Sequence, residues 1–475
     1  MTMQTLTPMS LPALPALPAP LLPPDHPDRA SLAAEVHARP PEPLVAPCRA
    51  SYVAVRIAHE ARPAERAHLA RLCQYLGCEP PSAERTHWAA TLGALRFKWE
   101  RHGEFSSYTC LAGGLGPLPF HQPAATLLPE GWLAQVPGQT VCACHGEFAA
   151  PGQAGLADAA PDADALAGHF GPQSVVGAGI GDGAGGAFTD FIVQADGFSR
   201  FLLLDQGLSQ RQAGRMLQRL FEIEAYRMMA LLALPLARSL WPRLVQVEAA
   251  LAALTARIAA PAPAPSPAPD PASASVVMAD TSGDEALLQQ LTSLAAEVES
   301  ALAASQVRFG ASRAYHALVN TRIAELRERR IAGLQTIDEF MTRRLSPAMA
   351  TCVTVQQRLH DLSERVAQAS NLLSTRVDIT RQRQNQALLA ATARRAKLQL
   401  RMQQTVESLS VAAIAYYLAG LVGYGAKAMK AAGLPVSPDL VTGLAVPLLA
   451  VLAWWTLHRV HRRLAHDVGQ AGDAP

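Results

Sequence analysis

The chain has 475 residues, a hydrophobic share of 49% and a formal net charge of +2, enough length for two or three domains. This balance argues against a protein steered to nucleic acid by bulk positive charge, and against a chain disordered throughout. Its seven cysteines follow no regular framework, which suggests reduced thiols in a cytosolic compartment.

Residues 1–24 carry seven prolines in an LPALPALPAP pattern, an extended disordered leader. The first basic residue is Arg29 and prolines interrupt every apolar stretch, so no signal peptide is expected. Residues 25–258 read as a mixed α/β cytoplasmic domain that ends in helices. Ser51–Ala58 alternates like a strand, and Ala64–Gly77 places Leu69, Leu72 and Leu76 on one helical side. Leu95–Leu111 has aromatic and polar residues in near alternation and reads as strand. Phe188–Val193 and Phe198–Asp205 suggest a pair joined by the turn Ala195-Asp196-Gly197. From Ser209 the period becomes helical, with Met216, Leu220, Ile223, Glu224 and Arg227 along one side. Pro235 and Pro242 are expected to kink or break that run.

Residues 259–283 form a Pro/Ala-rich segment with prolines at every second position from 261 to 271, a semi-rigid linker. Residues 284–407 then read as long helices, a stalk. Asp284–Leu345 shows Leu287, Leu291, Leu294, Val298 and Leu302 at three-four spacing, and Ser346-Pro347 signals a new helix start. A seven-residue seam follows through Cys352, Val355, Leu359, Leu362, Val366, Ala369 and Leu373, a coiled-coil pattern that fails at Arg376. A helix continuing from there to Ala426 would cover about 80 residues, on the order of 120 Å.

Two uncharged runs, 408–426 and 440–457, are about the length a bilayer core requires. They read as a two-helix transmembrane hairpin with loop 427–439 and a basic tail, 458–475. Seven basic residues between Arg376 and Arg401 face one acid, Asp378. Basic flanks on both sides place both termini in the cytoplasm and the loop outside. The fold class is thus an α+β cytoplasmic domain, a long α-helical stalk or coiled coil, and a C-terminal hairpin in the membrane.

Several side-chain groups invite chemistry. The glycine-rich run Gly171–Gly186 could cradle phosphate only if a helix N-terminus followed it. AFTDFIVQADGF reads as strand instead, so a flexible hairpin loop is expected. Cys142-Ala143-Cys144-His145 suggests a metal, but lacks a second Cys/His pair, and the two cysteines are expected to point to opposite faces of a strand; a site would need Cys110 or His121 nearby. Glu35, His37 and Arg39 in one segment and Glu100, His102 and Glu104 in another form a candidate polar cluster. It could serve acid–base chemistry, or simply tie the first loop to a strand through salt bridges. Glu224 and Arg227 stand one turn apart as an ion pair, ahead of a short apolar helix expected in the core. No metal site, cofactor or catalytic residue is assigned from the residues.

His26–Leu44, Phe97–Thr109, Asp196–Ser209, Gly214–Ala237, Ala311–Glu328, Leu334–Met349 and Thr375–Leu389 together resemble a bacterial family known as domain of unknown function 3422. Its members are described as predicted membrane-anchored proteins, so the resemblance implies the inner membrane and carries no activity. The order of domain, long helix, two spans and basic tail also looks like the CorA-type magnesium channels. There the first span ends in Tyr-Gly-Met-Asn; here it ends in Tyr424-Gly425-Ala426-Lys427, the candidate pore mouth. A ring of lysines there would repel a divalent cation. Two functions follow as expectations: an oligomeric CorA-like channel, or a membrane-tethered scaffold or assembly factor whose stalk binds proteins. The expected partners are the lipid bilayer, further copies of the chain and unknown proteins, with no nucleic acid.

Overall fold

The computed structural model describes residues 23–30, 32–33, 40–153, 161, 163–172, 174–260, 273–432, 435 and 437–470. They belong to two compact units, Met1–Pro261 with Leu291–Gln368, and Ala262–Gln290 with Ala369–Pro475.

The first unit is built on a mixed sheet. Its strands are β1 (Cys48–Arg56), β2 (His87–Leu92), β3 (Leu95–Arg101), β4 (Phe105–Gly113), β5 (Gln139–Ala149), β6 (Val176–Ile180), β7 (Gly185–Thr189), β8 (Ser199–Asp205) and β9 (Arg329–Arg330). Their spatial order is β2-β3-β4-β1-β5-β8-β7-β6-β9, and every neighbouring pair is antiparallel except the parallel β5 and β8. The helices of the chain are α1 (Arg62–Leu76), α2 (Ala163–Phe170), α3 (Gln210–Leu231), α4 (Leu234–Ala259), α5 (Ser273–Leu326), α6 (Ile337–Arg344), α7 (Ser346–Ala431) and α8 (Pro438–Gln470).

Period-two alternation gives the sheet two different faces. Phe97 and Trp99 of β3 and Tyr108 of β4 point one way, into a core with Leu69 and Leu72 of α1 and with Trp132. Burying each such aromatic side chain stabilises by on the order of 1.5–3 kcal/mol. Within that core Glu65 is fully buried and accepts from Trp99 Nε1 at 2.8 Å, Tyr108 OH at 2.9 Å and Arg101 Nη2 at 3.2 Å. Three donors offset the desolvation of one carboxylate, which satisfies the condition for burying a charge. The opposite face carries α3. That helix starts where Ser209 and Gln212 form a reciprocal capping box. At Gly146 of β5 a Cβ would lie 2.8 Å from Phe221 Cζ, so the missing side chain lets α3 settle onto the strand.

The sequence reading holds for β1, α1, β8 and the start of α7, and differs elsewhere. Leu95–Leu111 is two strands, β3 and β4, turned through residues 102–104. The glycine-rich run expected to be a loop contains β6 and leads into β7; Gly181, Asp182 and Gly183 between them have φ of 60°, 64° and 92°, a tight turn in left-handed backbone. Pro235 sits at the first positions of α4, where a missing N–H costs little, while Pro242 lies inside a helix that continues past it. Helix α5 already begins at Ser273, inside the segment read as linker. The helical reading of 284–345 breaks at Arg327, where β9 joins the sheet edge before Thr336 caps α6.

Within the first unit α4, the later part of α5 and the early part of α7 pack together. Leu244, Val298 and Leu359 meet there, flanked by Arg243–Glu297 at 2.8 Å and Arg358–Glu248 at 2.5 Å. The seam from Cys352 to Val366 is buried by the chain's own helices.

In the second unit Leu287 of α5 and Leu373 and Val377 of α7 are buried, with Arg376 3.3 Å from Asp284 and Arg381 2.8 Å from Glu285. Helix α7 runs without a break from Ser346 to Ala431. Among the described residues its apolar end is the one helical stretch long and apolar enough to cross a membrane, and 6% of that stretch is buried. The second apolar run lies on α8, where Pro438–Leu452 is a shorter apolar helix. A Cβ at Gly423 of α7 would lie 3.2 Å from Thr442 Oγ1 of α8. A small residue thus permits close approach of the two helices.

Candidate functional site

The alternation of β3 puts Lys98 and Glu100 on its α3 face, where both are buried. Strand register sets Thr109 opposite Lys98, Ser107 opposite Glu100, and Tyr52 on the far side of Thr109. Leu217, Phe221 and Glu222 of α3 form the facing wall. Between wall and sheet lies a narrow cleft. Its lining mixes polar and apolar side chains.

The polar groups are held in place by one another. Lys98 Nζ lies 3.0 Å from Glu100 Oε1, and each side chain is 8% exposed. The contact is a buried ion pair. Lys98 Nζ also donates to the Pro40 carbonyl at 3.2 Å. His102 stacks on Phe105, with centroids 4.3 Å apart, and its Nε2 lies 3.3 Å from Ser107 Oγ. Glu222 accepts from Gln218 Nε2 at 2.7 Å and from Arg322 Nε at 2.5 Å. Tyr52 stacks on Phe221 at 5.3 Å. Burial pushes the Tyr52 hydroxyl well above its ordinary pKa, with smaller contributions from Cys142, Tyr226, Glu222 and Glu100.

Of the polar cluster read from sequence, Glu100 and His102 reach this cleft. Glu104 does not; it pairs with Arg308 of α5 at 3.0 Å. Glu35, His37 and Arg39 lie outside the described residues. The segment just after them does meet the strand. Arg96 Nη1 donates to the Pro43 carbonyl at 2.7 Å, and Leu44 N donates to Gln210 O at 3.0 Å. Gly214 of α3 makes this possible, because a Cβ there would collide with the Glu42 carbonyl oxygen. The structural tie between first loop and strand is therefore present at residues 40–44. Lys98, Tyr52 and Glu222 are cleft residues that sequence reasoning missed. The alternation around Glu100 carries a signal for Lys98; Tyr52 and Glu222 join only through sheet order and helix packing.

The Cys-Ala-Cys-His group is divided by the same alternation, and the expectation for its cysteines is corrected. Residues two apart on a strand share a face, and Cys142 Sγ lies 3.4 Å from Cys144 Sγ. Burial, then the neighbouring Cys144, pushes the Cys142 thiol well up, which makes it unreactive. His145 faces the other side, 3.0 Å from Ser51 Oγ and stacked 3.9 Å from the Phe198 ring. Cys110 belongs to the α1-side core. Among the described residues no three His, Cys, Asp or Glu side chains are grouped to hold a metal. Glu224 and Arg227 form a two-point ion pair at 2.5 and 2.8 Å, with Glu224 buried, so the pair is part of the core and not a surface ornament.

At the end of the first apolar run Tyr424, Gly425 and Lys427 are exposed, whereas Ala426 is buried. Lys427 Nζ lies 5.9 Å from the Tyr424 ring centre.

A family model described as a protein of unknown function (DUF3422) matches residues 24–464. No curated protein and no solved structure matches the chain.

Proposed function

This chain belongs to the DUF3422 family, and we propose that it is a membrane-tethered protein, an α/β domain and helical stalk held at the bacterial inner membrane by a C-terminal hairpin. The observation that carries this reading is the exposure of apolar side chains on both C-terminal helices. Leu409, Ile414 and Leu421 of α7 are 75%, 59% and 72% exposed, and Leu444 and Leu448 of α8 are 67% and 68% exposed. In water such a surface is unfavourable; in a bilayer core it is the expected exterior. Trp454 and Trp455 fall near the end of the second run, and Arg459 stands 5.0 Å over the Trp455 ring, an arrangement suited to the lipid–water interface. The basic stretch before the first span and the basic tail favour cytoplasmic termini, with 427–439 outside. In this reading the stalk is the surface for protein partners, as in a scaffold or assembly factor.

The CorA-like channel is the second reading. It draws on Tyr424-Gly425 and on the small residues Ala412, Ala415, Ala419 and Gly420, which would let first spans pack around a pore. Lys427 opposes it electrostatically, and the seam from Cys352 to Val366 is already covered within one chain. Alkaline carbonate extraction tests the tether. The full chain should stay with the membrane, and a chain ending at Thr405 should be released; release of both would overturn the reading. Native mass spectrometry in mild detergent separates the two functions. A discrete ring-sized oligomer favours the channel, and a monomer or dimer the scaffold.

A further inference from the structure

Two cysteines at the C-terminal end of α1 carry a chemistry that does not depend on the tether. We propose that Cys73 and Cys78 form a reversible disulfide by exchange with a low-molecular-weight disulfide, Cys78 attacking first and Cys73 closing the bridge.

Backbone geometry brings the pair together. Gly77 takes left-handed dihedrals, φ 69° and ψ 32°, and ends α1 with its N–H bonded to the Cys73 carbonyl. Cys78 N donates to the same carbonyl at 2.9 Å, the wider hydrogen bond of a Schellman turn, in which the two end side chains meet. Ordinary bond lengths then keep the two Cα atoms within roughly 7 Å, the reach of a disulfide. The thiols lie within hydrogen-bonding reach of each other, and Cys78 packs against the core cluster that contains Cys73. Access separates their roles. Cys73 is fully buried and Cys78 half-buried, so a reagent from solution meets Cys78 first.

The Cys78 thiolate attacks one sulfur of the small disulfide, whose S–S bond breaks, and one small thiolate leaves and takes up a proton. Cys73 then gives its proton to solvent and attacks the Cys78 sulfur of the mixed disulfide, and the second small thiol leaves. Two protein thiols are oxidised, and one small disulfide is reduced to two thiols. Burial, then the neighbouring Cys78, pushes the Cys73 thiol up to about 12. At pH 8 its thiolate is therefore present in about one molecule in 10⁴. Adjacency offsets this scarcity, because neighbouring groups act at effective molarities on the order of 10⁵ M or more. Cys142 and Cys144 touch as well, but both are buried, so a reagent in solution meets neither.

The test uses the full-length reduced protein in mild detergent, treated with excess oxidised glutathione at about pH 8. Remaining thiols are blocked with N-ethylmaleimide in denaturant, and tryptic peptides are read by mass spectrometry. Trypsin releases both cysteines in one peptide, Leu72–Arg85. That peptide should become two hydrogens lighter than its dithiol and carry neither maleimide nor glutathione, and dithiothreitol should restore the dithiol. In Cys73→Ser the same peptide should keep glutathione on Cys78, at a level at least about ten-fold above that in the native protein. In the native protein a lasting glutathione adduct on Cys78, two maleimide-blocked thiols, or a bridge from either cysteine to another peptide would each overturn the proposal. An unmodified Cys78 in Cys73→Ser would overturn it too. Should Cys73→Ser fail to fold by circular dichroism, the native peptide decides alone.

Discussion

His145 shows how one buried side chain can set a pH dependence. Its ring is 3% exposed, stacked on Phe198, with Nδ1 3.0 Å from Ser51 Oγ. Ser51 Oγ accepts from the Ala125 backbone N–H at 3.0 Å, which leaves its own proton free to point at the imidazole. Burial lowers the His145 pKa to about 4, with Asp196 opposing the shift and Arg200 adding to it. The folded protein thus keeps the ring neutral down to about pH 4, while the unfolded chain binds a proton near its ordinary value of 6.5. Above pH 6.5 both states are neutral and the group contributes no pH dependence. As pH falls from 6.5 towards 4 the unfolded state gains the proton first, so stability declines through that window, by on the order of 3 kcal/mol. Unfolding followed between pH 4 and 7 should show this slope in the native protein and lose that part of it in His145→Asn; equal slopes would assign the loss to other groups. None of this is legible from sequence, because Ser51 lies on a different strand, 94 residues away. The pairing of Cys142 with Cys144 was legible, since strand periodicity puts alternate residues on one face, and the opposite reading misapplied that period.

Elements differ in how openly they announce themselves. Alternation in Leu95–Leu111 marks strand correctly, yet it holds two distinct messages: an aromatic face for the α1 core and a polar face for the cleft. Local pattern yields the two faces, but the turn between β3 and β4 and the placement of α3 above them depend on packing that no window of sequence contains. Strands β6 and β9 were missed for a related reason. β6 is rich in glycine and β9 has two residues, so neither carries the β-branched signal that identifies a strand. The seven-residue seam of α7 was legible as a buried stripe, whereas its partner was not. Leu359 and Leu362 pack with Leu240, Leu244 and Val298 of the same chain. Leu359→Ala should therefore cost about 2–5 kcal/mol of stability by opening a cavity, and leave the oligomeric state unchanged. Thermal unfolding with native mass spectrometry of the same variant reads both quantities, and a changed stoichiometry would mean that the seam joins separate chains.

For the whole molecule, the proposed tether raises the question of which side of a membrane each segment would occupy. Between Arg376 and Arg401 lie seven basic residues, and the tail after the second apolar run begins Arg459-Val460-His461-Arg462-Arg463. Between the two apolar runs, segment 427–439, expected as a loop, begins with the helical end of α7 and carries Lys427 and Lys430, so its own positive charge opposes export, but it is short and flanked on both sides by stronger basic segments. On the proposed tether, the balance favours that segment outside. Both residues lie beyond the apolar core of the first run, and Lys430 is exposed, so a cysteine there would be open to reagent. The native cysteines offer little background, since all but Cys78 are buried. In intact cells a membrane-impermeant maleimide should label Lys430→Cys, and should label Ala390→Cys only after permeabilisation. Labelling of Ala390→Cys alone before permeabilisation would reverse the orientation, and labelling of both would place the two positions on one side and remove the span between them. Labelling of Lys430→Cys only after permeabilisation would leave both helices on the cytoplasmic surface and remove the hairpin on which the tether depends.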